Sequence, residues 1–294
     1  MALNLHQLRV FARVAEAGGF TRAAQSLRLS QPAVSKAVRE LERGTGVPLF
    51  ERAGRVTRLT AAGETLFARA RELFAVERSA EEELRALRGL NGGVLRVGAS
   101  TTVATYLLFP YLARFRKANP GVELRVSSAN TRAIARALVE RRLDIALVEG
   151  PVQHPNIEVV RWREDELVVI VPPTHRLAAK RSIQLRELAG EPFIVREPGS
   201  GTRKVAERAL ATHDVSPMVT LQLGSTEAIK QAVAAGLGLA FVSRFAVDDQ
   251  VKLGRISAVR VREAALGRVL TELRLRGRAP GPGVVAFRKL LALG

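Results

Sequence analysis

The sequence predicts a chain in two parts: an N-terminal all-α domain with a winged helix-turn-helix and a long linker helix, and a C-terminal α/β domain with two lobes. Two helical segments broken at residues 28–30, with a short basic hairpin after them, predict the first part. β-rich runs that alternate with helical runs predict the second part. The expected domains are residues 1–60 for the helix-turn-helix, 61–92 for the linker helix and 93–294 for the α/β domain.

Composition limits the function before any motif is considered. The chain has 294 residues and a formal net charge of +18, which favours an anionic partner such as nucleic acid. Residues 1–60 contain 10 basic and 4 acidic residues, whereas residues 93–294 contain 31 basic and 18 acidic residues. Bulk charge therefore does not locate a DNA-binding surface, and the local pattern has to do so.

The cysteine count and the apolar runs indicate a compartment. The chain has no cysteine, which excludes disulfides and thiol chemistry and fits a reducing environment. No apolar run is long enough to span a membrane, and the N-terminus lacks the pattern of a signal peptide. We expect a cytoplasmic protein with no membrane contact.

The first two predicted helices are short. Residues 5–17 carry apolar side chains at helical spacing, and the glycines of "AGGF" at 17–20 end that helix. Thr21 is expected to cap a second helix that runs to Leu27, and we count Thr21 among the candidate DNA contacts.

The third predicted helix sorts its side chains onto two faces. Ser30 is a good N-cap and Pro32 is tolerated in the first turn, so the helix begins abruptly. The apolar face consists of Ala33, Val34, Ala37, Val38 and Leu41. The other face has short polar groups and then cations: Gln31, Pro32, Ser35, Lys36, Arg39 and Arg43. A face of this kind suits contact with DNA.

A basic hairpin is predicted after this helix. The stretch "PLFERAGRVTRLT" at 48–60 alternates around Gly54 and carries Arg52, Arg55 and Arg58, as expected of a wing that contacts phosphates. The alternative is that both features are ordinary, because amphipathic helices with a solvated cationic face are common. The hairpin beside the sorted polar face favours DNA binding.

The linker segment predicts a dimer. Thr60 can cap a helix that runs to about Leu90. A heptad seam runs along it through Leu66, Ala70, Leu73, Glu77, Ala80, Leu84 and Leu87. A surface helix packed on its own domain is the alternative, but Phe67, Phe74 and Val76 widen the apolar face and favour a partner helix. A two-fold dimer predicts an imperfect palindromic operator with half-sites ~34 Å apart, or a multiple of that spacing.

The third segment predicts a mainly parallel sheet covered by helices. The strands "VLRVGAS", "VELRVSSA" and "DIALVEG" are separated by helices expected at 102–118 and 131–140. The runs "ELVVIVP", "FIVREP", "VTLQLGS" and "LAFVS" continue the alternation. Such sheets bind ligands at the carboxyl ends of their strands.

Hydroxyl side chains cluster where that ligand site is expected. They are Ser100, Thr101, Thr102, Ser128 and Thr131, with Ser200 and Thr202 in "REPGSGTR" at 196–203. Helix N-termini with such groups suit carboxylate, sulfate or phosphate. Any one of these residues can be an ordinary cap, but three such loops favour a small anionic ligand between two lobes. Glu149 is expected at the same cleft, to accept a hydrogen bond from the ligand or to repel the wrong anion.

Catalysis finds little support. The histidines His6, His154, His175 and His213 lie in unrelated contexts, and no metal-binding spacing, nucleophile elbow or Walker loop is present. We expect no enzyme activity, no catalytic or metal-binding residue and no cofactor. Two other classes stay open: a non-specific basic nucleic-acid-binding protein, and a solute-binding protein or enzyme on the same α/β fold.

Residues 5–66, "LHQLRVFARVAEAGGFTRAAQSLRLSQPAVSKAVRELERGTGVPLFERAGRVTRLTAAGETL", resemble the N-terminal domain of LysR-type transcriptional regulators. "RRLDIALVEG" and "AAGLGLAFVS" are similar to the effector-binding domain of that family. The resemblance implies a winged helix-turn-helix, a coiled-coil linker helix that pairs in a dimer, and a two-lobed effector domain like a periplasmic binding protein. It also implies assembly into a homotetramer and transcription regulation, with double-stranded DNA, a small-molecule effector and the chain itself as partners. RNA polymerase is a further candidate partner.

The resemblance also assigns roles to residues. The base-reading positions fall on Gln31, Pro32, Ser35 and Lys36, whereas Arg39, Arg52 and Arg55 would hold the DNA backbone. "GASTTVATYLLFP" and "REPGSGTR" look like the branch that includes regulators of carbon fixation and sulfur metabolism, whose ligands tend to be small anions. By that resemblance, Ser100, Thr102, Ser128 and Thr202 would line the effector site.

Overall fold

The computed structural model describes residues 3–51, 57–87, 92–262 and 266–293. The chain folds as two compact units, Met1–Glu81 and Glu82–Gly294. The first unit contains α1 (Leu5–Ala17), α2 (Phe20–Leu27), α3 (Gln31–Thr45) and most of α4 (Ala61–Leu87).

Helices α2 and α3 form the predicted helix-turn-helix. The turn between them is tight because Arg28, the C-cap of α2, adopts the left-handed conformation with φ 55°. Ser30 caps α3 as predicted, since its Oγ accepts a hydrogen bond from the Ala33 amide at 3.3 Å. The prediction that Thr21 caps α2 is wrong. The helix begins at Phe20 with Gly19 as N-cap, and the Phe20 ring packs on Phe50 with centroids 5.4 Å apart.

One hydrophobic core holds the first unit together. Val34, Val38 and Leu41 of α3 are buried in it, together with Phe11 of α1. Ala33, which the apolar stripe included, is exposed because it lies in the first turn. The polar face of α3 therefore remains outside the core.

The predicted hairpin is described at its base only. Phe50 and Leu59 form an antiparallel bridge, and the Glu51 amide donates to the Arg58 carbonyl at 2.9 Å. Thr60 caps α4 as predicted, because its Oγ1 accepts from the Gly63 amide at 3.0 Å. A Cβ on Gly63 would lie 2.0 Å from the Leu49 carbonyl oxygen, so this glycine allows the close approach of α4 to the hairpin base.

The residues of the predicted heptad seam on α4 do not share one environment. Ala70 is buried in the core of the first unit, as is Phe74, which was expected to face a partner helix. Leu73, Val76 and Leu84 of the same helix are exposed. Glu77, the polar interruption, pairs with Arg9 of α1 at 2.6 Å. Ala70 and Phe74 therefore pack on their own unit, as the alternative hypothesis of a surface helix predicted. Leu73, Val76 and Leu84 leave apolar surface exposed.

The second unit contains ten strands and seven helices among the described residues. The strands are β1 (Gly93–Ser100), β2 (Val122–Ala129), β3 (Ile145–Glu149), β4 (Ile157–Val171), β5 (Ser182–Ile183), β6 (Pro192–Arg196), β7 (Met218–Leu223), β8 (Ala240–Ser243), β9 (Ser257–Val261) and β10 (Gly267–Leu275). The helices are α5 (Thr101–Tyr106), α6 (Phe109–Ala118), α7 (Thr131–Val139), α8 (Gly201–Thr212), α9 (Thr226–Ala234), α10 (Asp248–Lys252) and α11 (Pro282–Ala292). Two short 3-10 helices, Leu185–Leu188 and Arg244–Ala246, complete the unit.

The sheets define two lobes joined by β4 and β10. One eight-stranded sheet has the order β2-β1-β3-β10-β4-β9-β5, with β8 paired to β4, and β6 and β7 form a separate pair. Strand β4 pairs with β10 over residues 157–166 and with β8 and β9 over residues 167–171. The first lobe has one core around Phe115 and Phe287, and the second has one around Phe193 and Phe241.

The prediction of a mainly parallel sheet holds only in part. The pairs β1–β2, β1–β3, β5–β9 and β6–β7 are parallel. The pairs that β4 and β10 make are antiparallel, because these strands carry the chain from one lobe to the other and back.

The helix predicted at 102–118 is two helices. Tyr106 ends α5, and Phe109 begins α6. Pro110 lies in the first turn of α6, where its missing N–H costs nothing, but a continuous helix would need that N–H. Within the described ranges, no helix is long and apolar enough to cross a membrane.

Candidate functional site

The first candidate site is the polar face of α3. Gln31, Pro32, Lys36 and Arg39 are exposed, and Ser35 is half-buried. The Gln31 Nε2 donates to the Ser35 Oγ at 3.1 Å, so the two groups expected to read bases lie side by side. Side-chain amides and hydroxyls at this spacing suit the edges of bases in a major groove.

The charges on this face lie beyond the first turn of α3. Lys36 Nζ is 3.9 Å from Glu40 Oε1, and the Lys36 side chain is 75% exposed, so this pair is a weak one that a phosphate can replace. The first turn of α3 has no acidic residue, so no carboxylate there opposes an anion at the positive end of the helix dipole. The arrangement can therefore place both neutral donors and cations against nucleic acid.

Two predicted DNA contacts on the hairpin, Arg52 and Arg55, lie outside the described residues. Thr21 is exposed in the first turn of α2, so it remains available for contact although it does not cap the helix.

The second candidate site is a buried polar cluster around Glu149 in the second unit. Glu149 ends β3 and is 1% exposed. The hydroxyls of Ser100 and Thr102, at the junction of β1 and α5, both donate to its carboxylate, the latter at 3.2 Å. The Thr131 hydroxyl donates to the Glu149 carbonyl oxygen at 2.8 Å. The loops after three strands thus meet at one point, as the sequence predicted for the carboxyl ends of parallel strands.

Burial governs the ionisation of Glu149. Removal from water raises the pKa of this carboxyl, and the charges of Arg268 and Arg196 and the Thr102 hydroxyl oppose that rise without overcoming it. The site therefore holds a carboxyl group that favours its neutral form more than an exposed glutamate does.

Two buried arginines flank the cluster. Arg196, at the end of β6 and 3% exposed, donates to the hydroxyls of Thr101 at 2.9 Å and Thr226 at 3.2 Å. Since Thr101 belongs to the first lobe and Thr226 to the second, Arg196 spans the cleft. Its Nε also donates to Glu197 at 2.8 Å.

Arg268 is the second of these arginines. It is 6% exposed on β10, donates to Thr202 Oγ1 at 2.9 Å, and pairs with Asp165, to which its Nε donates at 2.7 Å. Asp165 neutralises the charge of Arg268, and the hydrogen bond to Thr202 holds Arg268 against the first turn of α8. Ser243 donates to the same carboxylate at 2.9 Å.

Gly201 brings the two lobes into contact. A Cβ at this position would lie 1.9 Å from the Glu149 carbonyl oxygen and 2.8 Å from Thr131 Oγ1. Only a residue without a side chain allows the N-terminus of α8 to approach β3 so closely. Ser200 caps α8 by accepting from the Arg203 amide at 3.4 Å.

A cavity of about 600 Å³ opens between α7 and α8. It is lined by Thr131, Ser200 and Gly201, and by the exposed cations Arg132 and Lys204. Ser100, Thr102, Glu149 and Thr202 are buried and do not line it. The cavity thus presents exposed cations, whereas the hydroxyls of Ser100 and Thr102 donate to Glu149.

The predicted effector residues fall into three groups. Ser100, Thr102, Glu149, Ser200 and Thr202 lie in or beside the buried cluster. Thr101 is half-buried and accepts from Arg196. Ser128 is exposed near the end of β2, where residues 125–128 are all exposed.

Sequence reasoning missed part of the site. Arg196 was visible only as a cation beside a glycine-rich loop, and its bridge to Thr101 depends on a lobe contact that no local pattern encodes. Arg268 and Asp165 are far apart in sequence and gave no signal. Among the described residues, no group of three or more acidic or histidine side chains is placed to hold a metal ion.

Family comparisons match both units. Residues 5–64 match the family described as bacterial regulatory helix-turn-helix protein, lysR family, and residues 88–293 match the LysR substrate binding domain. A RuBisCO operon transcriptional regulator from Allochromatium vinosum is 37% identical to this chain, with 99% of this chain and 96% of the relative covered.

Solved structures have the same architecture. A full-length OxyR variant from Pseudomonas aeruginosa superposes with a TM-score of 0.79 at 26% identity, covering 99% of this chain and 94% of that one. The regulatory domain of CcmR from Synechocystis PCC6803, solved in complex with 2-PG, gives a TM-score of 0.64 at 30% identity. That match covers 68% of this chain and 97% of the CcmR chain.

Proposed function

This chain belongs to the LysR family of bacterial regulatory helix-turn-helix proteins, and we propose that its second unit controls DNA binding by sensing a small metabolite with at least one anionic group. The chain is a DNA-binding transcriptional regulator with an effector-binding domain, like its relatives. We assign DNA binding to residues 1–60, the linker to residues 61–92 and effector binding to residues 93–294.

In the proposed DNA complex, α3 enters the major groove with its first turns. Gln31 and Ser35 donate to and accept from base edges, and Pro32 contacts a thymine methyl group. Lys36 reaches a guanine or a phosphate, and Arg39 holds the backbone. The exposure of Gln31, Pro32, Lys36 and Arg39 supports the assignment. Thr21, Arg52 and Arg55 are further contacts in the proposal.

The proposed assembly is a dimer formed through the part of α4 that begins at Leu73. The exposed apolar side chains Leu73, Val76 and Leu84 are the surface that a second copy of this helix would cover. A two-fold dimer presents two copies of α3, so the operator is an imperfect palindrome. We include the tetramer expected of the family in the proposal, with RNA polymerase as a further partner.

The observation that carries the effector proposal is the buried cluster around Glu149. Two buried arginines and a set of hydroxyl groups converge where α5 and α8 begin, and such groups bind anions through charge-assisted hydrogen bonds. The complex of the CcmR regulatory domain with 2-PG supports a small-molecule ligand at the corresponding domain of this chain. The residues proposed to bind the effector are Ser100, Thr101, Thr102, Ser200, Thr202 and Arg196, with Ser128 at the rim of the site.

Glu149 selects among anions in this proposal. In the ligand-free arrangement it takes the hydroxyls of Ser100 and Thr102, so an incoming anion must share or displace that carboxyl. A neutral Glu149 can donate a hydrogen bond to the anion, and an ionised Glu149 can accept a hydrogen bond from a proton that the anion carries. Only the ionised form repels a fully deprotonated anion, because like charges in a buried site are costly. Sulfate should therefore bind less well than a phosphate ester of the same size.

We propose no catalytic residue and no cofactor for this protein, and we propose that it acts in the cytoplasm. The experiment that tests it measures binding of the purified protein to its own upstream intergenic DNA and to a scrambled fragment, at near-physiological salt, with sulfate, sulfite, inorganic phosphate and sugar phosphates. The expected result is a preference for the upstream DNA and a change of affinity or footprint with one anion. Equal affinity for both fragments and no response to any anion would overturn the proposal.

A further inference from the structure

A second set of contacts joins the two lobes of the effector domain, away from Glu149. Tyr106, the last residue of α5 in the first lobe, donates a hydrogen bond from its hydroxyl to the carboxylate of Glu227 in the second lobe. Glu227 lies in the first turn of α9 and pairs with Lys230 of the same helix at 2.7 Å.

Lys230 ties these groups to the body of the second lobe. It is 4% exposed, and its Nζ donates to the Ala246 carbonyl oxygen at 2.8 Å. The same ammonium lies 5.1 Å from the centroid of the Tyr106 ring, within the range of a cation–π contact. Tyr106 is therefore held through both its hydroxyl and its ring.

The protonation states of Tyr106 and Glu227 suit a hydrogen bond from the hydroxyl to the carboxylate. Burial, followed by the hydrogen bond to Glu227, raises the pKa of Tyr106, so its hydroxyl stays a donor throughout the working range of the protein. Burial also raises the pKa of Glu227, but the hydrogen bonds from Lys230 and Tyr106 outweigh that effect, so the pKa is lowered overall and the acceptor stays ionised. A charged acceptor makes the stronger kind of hydrogen bond.

We propose that Tyr106, Glu227 and Lys230 form a lock that holds the two lobes of the effector domain closed and thereby sets the affinity for the effector. The lock is defined by the hydrogen bond between Tyr106 and Glu227, and Lys230 positions both residues. It is distinct from the buried cluster, because none of the three residues contacts Glu149 in the described hydrogen bonds.

The lock adjoins the proposed anion site through one turn of helix. Thr226, which accepts from Arg196, immediately precedes Glu227 at the start of α9. Arg196 also reaches Thr101, at the other end of the helix that carries Tyr106. An anion that draws on Arg196 therefore acts on the same two helices that the lock joins, and closure of the lock orders both sides of the site before the anion arrives.

The consequence for binding follows from populations. If the anion binds the closed form, its apparent affinity is reduced by the fraction of molecules that are open. Loss of one hydrogen bond to a charged group changes such an equilibrium by roughly tenfold, so we expect roughly two- to tenfold weaker anion binding without the lock. This consequence rests on the proposed effector function, whereas closure itself does not.

The test uses the full chain and two introduced cysteines, since the natural sequence has none. Phe109→Cys in the first lobe and Leu253→Cys in the second replace exposed residues and carry nitroxide spin labels. Double electron–electron resonance then reports the distance between the lobes without any effector. Tyr106→Phe removes only the hydroxyl, and Tyr111→Phe is the matched control, because Tyr111 is the other tyrosine and packs in the core of the first lobe.

The expected result is a distance distribution that broadens or shifts in Tyr106→Phe and stays at the parent distribution in Tyr111→Phe. Glu227→Ala should have the same effect as Tyr106→Phe, and the double variant should add nothing to it, because all three lose the same bond. Identical distributions for the parent protein, Tyr106→Phe and Glu227→Ala would overturn the lock, even if the protein binds its operator and an anion. An altered distribution with no response to any anion would leave the lock standing and reject the effector proposal.

Discussion

The Ser100 hydroxyl donates a hydrogen bond to the Glu149 carboxylate across two loops that lie far apart in sequence. Both residues are buried, with Ser100 at 0% and Glu149 at 1% exposure. The donor that the proposed effector would use is therefore occupied by an internal carboxyl group. Competition between that group and the effector leads to two predictions about Glu149.

Glu149→Gln should relax the discrimination among anions. The amide has nearly the same shape but carries no charge, so sulfate should bind about tenfold more tightly than to the wild type at pH values above the folded-state pKa of Glu149, where the carboxylate repels sulfate. Isothermal titration with sulfate and with inorganic phosphate measures the change. Glu164→Gln is the control because Glu164 is an exposed acid, 85% accessible. An equal gain in that control would assign the effect to net charge alone.

The stability of the effector domain should depend on pH through Glu149. Burial raises the pKa of this carboxyl in the folded state above its value in the unfolded chain. Its contribution to stability is therefore fully present below the ordinary carboxyl pKa and is lost as the pH rises through the folded-state pKa. Glu149→Gln does not titrate, so the Tm of the variant minus the Tm of the wild type should increase from about pH 5 to about pH 8. Thermal unfolding at several pH values measures this difference, and a difference that shrinks with pH contradicts the assignment.

Gly201→Ala should disturb the contact between α8 and β3. The new Cβ would meet the Glu149 carbonyl oxygen at 1.9 Å, so the helix has to move or the lobes have to separate. A loss of about 1–3 kcal/mol in the free energy of unfolding is expected for such crowding. Gly224→Ala is the control, since a Cβ at that position meets nothing within 4 Å. Urea unfolding of both variants provides the comparison, and equal stability would mean that the close approach is not needed.

The linker should lose its partner helix when its exposed apolar side chains are charged. Leu84→Glu combined with Leu73→Glu places two like charges on the seam of each copy, so the dimer should dissociate at micromolar protein concentrations. Sedimentation velocity measures the mass. Leu253→Glu is the control for an exposed leucine elsewhere, at 64% exposure. If the double variant keeps the mass of the wild type, the seam is not the interface.

The sequence predicted those features that depend on local pattern. The caps at Ser30 and Thr60 and the buried side chains Val34, Val38 and Leu41 follow from spacing and capping chemistry. The meeting of the Ser100 and Glu149 loops followed from the rule that parallel strands end at one edge. In contrast, Phe74 packs into the core of the first unit because of tertiary contacts that a heptad pattern does not contain.

The parts that the sequence did not reveal depend on contacts between distant elements. Arg268 reaches Thr202 and Asp165 because β10 returns antiparallel beside β4. The sequence of neither strand indicates that they pair. The bond between Tyr106 and Glu227 depends on the relative position of two lobes. Lobe contacts arise from the packing of whole layers, so single-residue patterns do not encode them.

The most direct test of the central claim is the preference of the protein for its operator when the polar face of α3 is altered. Gln31→Ala with Ser35→Ala removes the neighbouring amide and hydroxyl, and Arg39→Ala removes a proposed backbone contact. Fluorescence anisotropy at one fixed salt concentration measures affinity for operator and scrambled DNA. In the double variant, the ratio of operator affinity to scrambled-DNA affinity should fall about 10- to 100-fold. Arg39→Ala should instead lower both affinities by a similar factor. An unchanged ratio in the double variant would contradict base reading by α3.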